Sequence, residues 1–251
     1  GLGDVYKRQE FADRVAELVE KYVDIDRLLE LTKQVAPAAL PMSVSHRTYR
    51  REPSFTVAIA RDPAFNFMYE ANIRYLHHLG EVTYFSPLAD TSLPDAGFVY
   101  LPGGYPELYL AALSANRPML QSIRRYVENG GKLLAECGGM MYLCDEIRDK
   151  NGDVFPMVGV LHQSATMENM KLRLGYRTLL YNDARLKGHE FHYSRLVEQQ
   201  DPLPSCAVAY TAKGVETDTP LYHYKNVWAG YTHLYWADPA GNDWFTKFII
   251  K

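Results

Sequence analysis

Cys137 is the residue of this sequence whose position most strongly indicates covalent chemistry. It lies between residues 132–136, which have the apolar pattern of a buried strand, and Gly138-Gly139 at the start of a predicted helix. Small residues permit the sharp turn of a nucleophile elbow, which exposes the side chain. Helix N–H groups would lower the thiol pKa and stabilise an oxyanion. The pattern favours a catalytic thiol over the alternative, a small buried hydrophobe.

A glycine-rich loop, LPGGYPE at residues 101–107, forms the second candidate element. It follows a predicted strand, and the end of a strand is where an open α/β sheet binds its ligands. Two glycines let the backbone approach a ligand closely. Because the loop and Cys137 are expected at the same end of the sheet, the loop is a candidate second oxyanion donor.

Histidine is the third residue type that this chemistry needs, and eight histidines are present. His233 follows a predicted strand, far from Cys137 in sequence, and is our candidate for the base. Residues 188–194, GHEFHYS, lack the four-residue histidine spacing of helical zinc proteases. On a strand, Glu190 and His192 would share one face and His189 would take the other.

The segments that carry these residues alternate between strand and helix patterns up to about residue 154, and are β-rich beyond it. We expect a doubly wound, mostly parallel α/β sheet with an antiparallel β extension. Strands are predicted at residues 55–60, 82–85, 97–101, 132–136, 172–181, 189–196, 206–210 and 227–231, and helices at 71–79, 118–127 and 243–250.

Composition excludes several classes of protein. The net charge is −3 with 47% hydrophobic residues, so we expect neither nucleic acid nor a membrane as partner. No apolar run approaches the length of a membrane span. Three cysteines without a Cys-x-x-Cys pair predict neither a disulfide framework nor a zinc site, and we expect a cytoplasmic protein with no metal.

The sequence predicts three regions. Residues 1–9, GLGDVYKRQ, resemble translated sequencing-adapter sequence, and we expect a non-native end there; a genuine polar terminus is the alternative. Residues 10–50 carry two helical patterns, the second capped by Asp24 or Asp26, and a proline-rich, basic linker. We expect residues 51–251 to form the compact domain.

Five segments resemble the glutaminase domain of the cobyrinate a,c-diamide synthase and cobyric acid synthase family, a branch of the class I glutamine amidotransferases. Their order and spacing match over about four-fifths of the chain, and AFNF and HEFHYS look more like the a,c-diamide synthase. The segments are AFNF at 64–67, FSPL at 85–88, LPGGYPE at 101–107, AECGGMMYL at 135–143 and GHEFHYS at 188–194.

The resemblance implies a glutaminase mechanism. Cys137 would be the nucleophile and His233 its base, with an oxyanion hole formed by the N–H groups of Gly104 and Gly138. Many class I enzymes carry an orienting Glu two residues after the histidine; here that residue is Tyr235, so a Cys–His dyad is expected. Glu190 would substitute as the orienting acid, or Glu190, His192 and Tyr105 would line the glutamine pocket; a third alternative is that Glu190 and His192 only pair with each other.

The resemblance also implies a longer enzyme. Residues 10–50 would end an ATP- and Mg²⁺-dependent synthetase domain that amidates the a and c carboxylates of a corrinoid (cobyrinate), in a full-length enzyme that forms a homodimer. No Gly-x-x-x-x-Gly-Lys-[Ser/Thr] loop is present, so we expect no cofactor in this part. Alternatives are a glutaminase for nickel-sirohydrochlorin or cobyric acid synthesis, a non-catalytic docking module, or a thiol hydrolase without glutamine preference.

Overall fold

The computed structural model describes residues 2–33, 55–198 and 202–250, and its contacts divide the chain into units at residues 1–48 and 49–251. The first unit contains α1 (Leu2–Tyr22) and α2 (Ile25–Lys33). Asp24 accepts a hydrogen bond from the Arg27 N–H at 2.9 Å, which caps α2 as predicted. The predicted linker lies largely outside the described residues, and the origin of residues 1–9 stays a prediction.

The described part of the second unit contains fifteen strands and five α-helices. The strands are β1 (Thr56–Ala60), β2 (Glu81–Phe85), β3 (Phe98–Leu101), β4 (Lys132–Glu136), β5 (Glu146–Arg148), β6 (Val154–Pro156), β7 (Ser164–Thr166), β8 (Arg173–Tyr181), β9 (Ala184–His192), β10 (Arg195–Leu196), β11 (Val208–Thr211), β12 (Glu216–Thr217), β13 (Leu221–Tyr224), β14 (Val227–Gly230) and β15 (His233–Tyr235). The helices are α3 (Glu70–Leu79), α4 (Leu110–Ala115), α5 (Arg117–Glu128), α6 (Gly138–Leu143) and α7 (Pro239–Trp244).

A six-stranded sheet in the order β13-β14-β4-β3-β1-β2 forms the centre of this unit. All neighbouring pairs are parallel except β13 with β14. Its central strands are buried on both faces, which explains why they are continuous apolar runs. The predicted strand at 227–231 therefore belongs to the parallel sheet as β14, and it lies directly beside β4, the strand that leads to Cys137.

The antiparallel extension consists of a five-stranded sheet, β12-β11-β8-β9-β15, and a four-stranded sheet, β10-β7-β5-β6, the latter with one parallel pair. The long β8–β9 hairpin turns at Asn182, which has a positive φ of 50°. The prediction of a single strand over residues 189–196 is wrong, because β9 ends at His192 and β10 begins at Arg195. The His192 ring Nδ1 donates to the Ser194 carbonyl at 2.8 Å, and the chain turns there before β10 joins the other sheet.

The last helix begins earlier than predicted. Asp238 accepts a hydrogen bond from the Gly241 N–H at 2.7 Å, and Pro239 occupies the first turn, so α7 starts before residue 243. A π-helical segment, Phe245–Ile250, follows. None of the described helices has the length and hydropathy needed to cross a membrane.

Candidate active site

Cys137 lies on the turn that joins β4 to α6. Its backbone has φ 48° and ψ −106°, which costs a non-glycine residue on the order of 1–3 kcal/mol. The Cys137 N–H donates to the Gly230 carbonyl at 2.8 Å, and the Cys137 carbonyl accepts from the Met141 N–H at 3.0 Å. These hydrogen bonds hold the residue on both sides. This is the strand-to-helix turn that the small residues around Cys137 predict.

The Cys137 thiol is buried, with 5% of the residue exposed. Its sulfur donates a long hydrogen bond of 3.9 Å to the Phe191 carbonyl. Burial, reinforced by the nearby Glu107 carboxyl, raises the pKa of Cys137 to about 12, while a backbone hydrogen bond from Gly138 lowers it. The effect expected from the helix terminus is therefore outweighed, and the resting thiol keeps its proton at neutral pH.

The backbone segments of Gly104 and Gly138 approach each other beside the thiol. A methyl group on Gly138 would lie 2.7 Å from Pro106 Cδ and 3.2 Å from the Gly104 nitrogen. A methyl group on Gly104 would lie 2.1 Å from the Ala64 carbonyl oxygen. Only glycine fits this close approach without movement of the backbone. The two amides expected to form an oxyanion hole thus belong to adjacent segments.

A small cavity connects the thiol to the glycine loop and to the chain after β9. Tyr105 is 45% exposed at its rim. Burial raises the pKa of the Glu107 carboxyl, which the sequence analysis did not single out although it ends the LPGGYPE segment. The cavity is lined by Gly104, Tyr105, Glu107, Cys137, Met141, Phe191, His192, Tyr193 and Ser194.

His233 begins β15 and is 3% exposed. Its ring Nδ1 has no hydrogen-bond partner among the described residues. Burial lowers the pKa of His233 to about 3, and the His189 and His192 rings contribute in the same direction. The imidazole is therefore neutral at pH 7, the form that accepts a proton.

His233 and Cys137 approach the same loop from different sides. A methyl group on Gly103 would lie 2.1 Å from His233 Cε1, whereas the next residue, Gly104, packs against Gly138. Within the described ranges, no hydrogen bond joins the Cys137 thiol to the His233 ring; the thiol donates to Phe191 instead. Cys137 and His233 thus lie around one loop, without a hydrogen bond between their side chains.

Glu190 and His192 lie on the other face of β9 from His189, as predicted. Glu190 is 1% exposed, and its Oε2 lies 2.6 Å from Arg177 Nη2. The His192 ring stacks on Tyr231 with centroids 3.8 Å apart. Its Nε2 is buried without a partner among the described residues. Because Glu190 is paired with Arg177 rather than with His233, the geometry favours a pocket role for Glu190 over an orienting one.

A second cavity of about 330 Å³ adjoins the first and shares His192 and Ser194 with it. Side chains of both charges surround it. Arg173 is held by a bidentate ion pair to Asp218, at 2.5 and 2.9 Å. The lining residues are Arg173, Glu190, His192, Ser194, Arg195, Leu196, Glu198, Asp218, Thr219, Pro220, Tyr222 and Tyr231.

His189 is the neighbour of His233 that sequence reasoning missed. The two residues face each other across the β9–β15 ladder, and their rings stack with centroids 5.0 Å apart. Only the strand register reveals this pair, because β15 contributes three residues and carries no recognisable pattern. In the described part of the chain, no three His, Cys, Asp or Glu side chains converge as metal ligands.

Comparison with known families gives one clear match. The CobB/CobQ-like glutamine amidotransferase domain matches residues 56–241. A cobyrinate a,c-diamide synthase from Dehalococcoides mccartyi (strain CBDB1) is 36% identical over 246 residues, 90% of this chain and 52% of the relative. A hydrogenobyrinate a,c-diamide synthase from Stutzerimonas stutzeri (strain A1501) is 36% identical over 226 residues, 87% and 52% of the two chains. The chain spans about half the length of these curated relatives.

Solved structures share the fold at low sequence identity. PurLQS from Thermotoga maritima aligns with a TM-score of 0.51 and 18% identity, over 71% of this chain and 87% of the other. A crystal structure of a glutamine amidotransferase aligns with a TM-score of 0.51 and 16% identity, over 78% and 99% of the two chains. These likenesses concern the fold alone, and they confirm the expected α/β fold.

Proposed function

The chain belongs to the CobB/CobQ-like glutamine amidotransferase domain family, and from that premise we propose that it hydrolyses the side-chain amide of glutamine through a thioester on Cys137. The observation that carries the proposal is the conformation of Cys137, whose φ of 48° sets the thiol on a strand-to-helix turn. The close approach of Gly104 to Gly138 supplies two backbone amides beside it.

The first half of the reaction forms the thioester. His233 takes the proton of the Cys137 thiol, and the sulfur attacks the amide carbon of glutamine. The N–H groups of Gly104 and Gly138 stabilise the resulting oxyanion, an interaction whose loss typically slows such reactions by about 10²–10³-fold. The tetrahedral intermediate then collapses with cleavage of the C–N bond. The proton on His233 passes to the leaving nitrogen, and ammonia departs.

The second half of the reaction releases glutamate. A water molecule gives a proton to His233 and attacks the thioester carbon. Cleavage of the C–S bond returns the proton to the sulfur and regenerates the Cys137 thiol. The His233 imidazole is neutral at rest, because burial lowers its pKa to about 3, so the ring has an unprotonated nitrogen that can accept the thiol proton.

His192 is the competing candidate for the base, and one observation favours it. His192 lines the cavity that contains Cys137, and its Nδ1–H is bound to Ser194, so the unprotonated nitrogen is the buried Nε2. We assign the base to His233 because it lies against the glycine loop and matches the histidine of the family pattern. We assign His192 to the glutamine pocket.

We assign the 330 Å³ cavity to the amino-acid end of glutamine. The α-carboxylate and α-ammonium groups require donors and acceptors of opposite charge, and the lining supplies both in Arg173 and Glu190. Because this cavity shares His192 and Ser194 with the cavity around Cys137, a bound glutamine would extend from one into the other. Tyr105 would close the rim, where it is partly exposed.

The relatives, twice as long as this chain, suggest the fate of the ammonia. We propose that it passes to an ATP- and Mg²⁺-dependent synthetase half, which amidates the a and c carboxylates of a corrinoid such as cobyrinate or hydrogenobyrinate. Residues 10–50 would be the end of that half. The chain holds no phosphate-binding loop, so none of these residues is assigned a role with ATP. The tetrapyrrole would be selected by the other half, within a cytoplasmic, homodimeric enzyme.

Trapping the thioester tests the proposal. The chain is mixed with glutamine, quenched in acid within one turnover and analysed by mass spectrometry, beside the Cys137→Ala variant. We expect a γ-glutamyl adduct on the peptide that contains Cys137, and none in the variant. No adduct on Cys137, with or without an added intact synthetase half, would favour a docking module. An adduct from simple esters but not from glutamine would favour a thiol hydrolase.

A further inference from the structure

Within the described residues, no carboxylate is hydrogen-bonded to Nδ1 of the His233 ring. Its Nδ1 is buried and makes no hydrogen bond within the described residues, and residue 235, where many class I enzymes have Glu, is tyrosine. A buried imidazole held by the backbone alone could rotate about its side-chain bonds. A misplacement of about 1 Å in such a group can cost about 10²-fold in rate, so another device must fix the ring.

Two rings and one glycine enclose His233. The His189 ring stacks on it, with centroids 5.0 Å apart and planes at 21°. The Phe67 ring meets it edge-on, with centroids 4.6 Å apart and planes at 66°. The remaining edge lies against Gly103, where even a methyl group would approach Cε1 to 2.1 Å. The imidazole is therefore confined on three sides.

Both enclosing rings are themselves anchored. His189 Nδ1 is hydrogen-bonded to the Tyr69 hydroxyl at 2.5 Å, and His189 faces His233 in the β9–β15 ladder. The Phe67 N–H donates to the Gly103 carbonyl at 3.0 Å. Phe67 and His189 also contact each other, with ring centroids 5.4 Å apart. These contacts fix the positions of the two rings that enclose His233.

We propose that Phe67 and His189 form an aromatic clamp that positions the His233 ring for proton transfer, in place of the orienting carboxylate of other class I glutaminases. The inference rests on the proposed function, in which His233 is the base. The role assigned to His189 is positioning by its ring face, and its nitrogen atoms carry no proton to the reaction. Tyr69 holds His189 and acts only through it.

The clamp also suits the charge that forms during the reaction. When His233 accepts the thiol proton, the imidazolium lies over the face of the stacked His189 ring, and an aromatic face attracts a cation. His189 assists only while it is neutral, and burial lowers its pKa. Two titratable side chains of β9, His189 and His192, lower the pKa of His233. Tyr69 reaches the ring only through His189, and the Glu136 carboxyl accepts a hydrogen bond from the N–H of the next residue, Leu234.

The test compares His189→Phe, which keeps a ring, with His189→Ala, which removes it; His77→Ala on the exposed side of α3 is the control. The readouts are kcat and KM for glutamate release. We expect His189→Ala to lower kcat by about 10²-fold with little change in KM, and His189→Phe to stay within about fivefold of the unaltered chain. At low pH the His189 ring becomes positively charged and lowers the pKa of His233. His189→Phe removes that charge, so the pKa that defines the acid limb of the pH profile should rise.

Three results would overturn the clamp. Equal losses in both variants would show that a nitrogen of His189 is required. An unchanged kcat in His189→Ala would show that His233 needs no clamp. An acid limb of His189→Phe that stays in place or moves down would show that the rings do not interact as described.

A second readout separates failure of the clamp from failure of the proposed function. Alkylation of Cys137 by iodoacetamide at pH 8 needs no glutamine. We expect it to be slowed equally by His233→Ala and His189→Ala, and to be little changed by His189→Phe. An unaltered chain that is alkylated in this His233-dependent way but releases no glutamate would contradict the glutaminase proposal and leave the clamp supported. Alkylation that is insensitive to His189→Ala would contradict the clamp.

Discussion

The backbone N–H of Cys137 donates a 2.8 Å hydrogen bond to the carbonyl of Gly230. This bond continues the parallel pairing of β4 with β14, in which Glu136 is opposite Gly230. The chain that leads to His233 leaves β14 at that point. The proposed nucleophile and the proposed base therefore follow adjacent strands at the same end of the sheet, which is where an open α/β sheet binds its ligands.

In the His233→Ala variant, where this base no longer assists the thiol, alkylation of Cys137 should be slow at neutral pH and accelerate steeply with pH. Burial raises the pKa of the thiol to about 12, so the thiolate fraction should increase about tenfold per pH unit between pH 7 and 10. The measurement is the rate of iodoacetamide incorporation at Cys137 by peptide mass spectrometry. A rate in this variant that levels off below pH 8 would contradict a thiol pKa raised by burial.

Gly103→Ala should disable the site while the fold persists. The added methyl group would meet His233 Cε1 at 2.1 Å, and the ring must leave its position. We expect glutamate release to fall by about 10²-fold, with a loss of unfolding free energy of about 1–3 kcal/mol from overpacking. Steady-state kinetics and urea unfolding measure the two effects.

Gly97→Ala is the matched control for that substitution. Gly97 precedes β3, and its added methyl group would make only an ordinary contact of 3.6 Å with the Thr56 carbonyl. We expect this variant to keep its activity. If Gly103→Ala remained as active as Gly97→Ala, the contact between Gly103 and His233 would have no role in catalysis.

Arg173→Met should weaken glutamine binding without slowing the chemical step. A charge-assisted hydrogen bond contributes about 1.5–3 kcal/mol, so we expect KM to rise at least about tenfold while kcat changes little. Arg185→Met, on the exposed side of β9, is the control. A lower kcat with an unchanged KM would contradict our assignment of the second cavity to the amino-acid end of glutamine.

Glu136 should make the fold less stable as pH rises. The carboxyl is 1% exposed, and burial raises its pKa from 4.5 to about 7 despite hydrogen bonds from Tyr100 and Leu234. The native state therefore holds a proton that the unfolded chain has released between these values, and stability falls across that window. The shift corresponds to a loss on the order of 3 kcal/mol.

Urea unfolding of the unaltered chain and of Glu136→Gln between pH 4.5 and 8 tests this sign. Both chains have the same histidines, so subtracting one free energy of unfolding from the other at each pH cancels the contribution of the histidines. We expect the unaltered chain to lose stability relative to the variant as pH rises. A relative gain with pH would mean that Tyr100 and Leu234 stabilise the carboxylate more than burial disfavours it.

Much of the fold was predictable because its signals are local. The strand before Cys137, the helix end at Gly80 and the Asp24 cap follow from apolar runs, glycines and capping side chains close in sequence. The turn at Cys137 was predictable for the same reason, since the small residues around it permit a sharp strand-to-helix turn that bulkier side chains would obstruct.

The surroundings of His233 were not predictable, because they depend on strand register. His189 meets His233 only through the pairing of β9 with the three-residue β15, and a shift of one residue would have turned the Glu190 face towards it. The raised pKa of Cys137 likewise arises from burial by segments distant in sequence, such as Glu107 and Phe191. Sequence patterns identify these residues but carry no information on which of them touch.

Glutamate release from glutamine by four chains, the unaltered protein, Cys137→Ala, His233→Ala and His192→Ala, tests the central claim most directly. We predict turnover in the unaltered chain and losses of at least about 10²-fold in Cys137→Ala and His233→Ala. His192→Ala should keep its kcat and change KM. Turnover that survives Cys137→Ala, or that is absent from the unaltered chain even beside an intact synthetase half, would contradict the glutaminase. Loss in His192→Ala with His233→Ala active would contradict our choice of base.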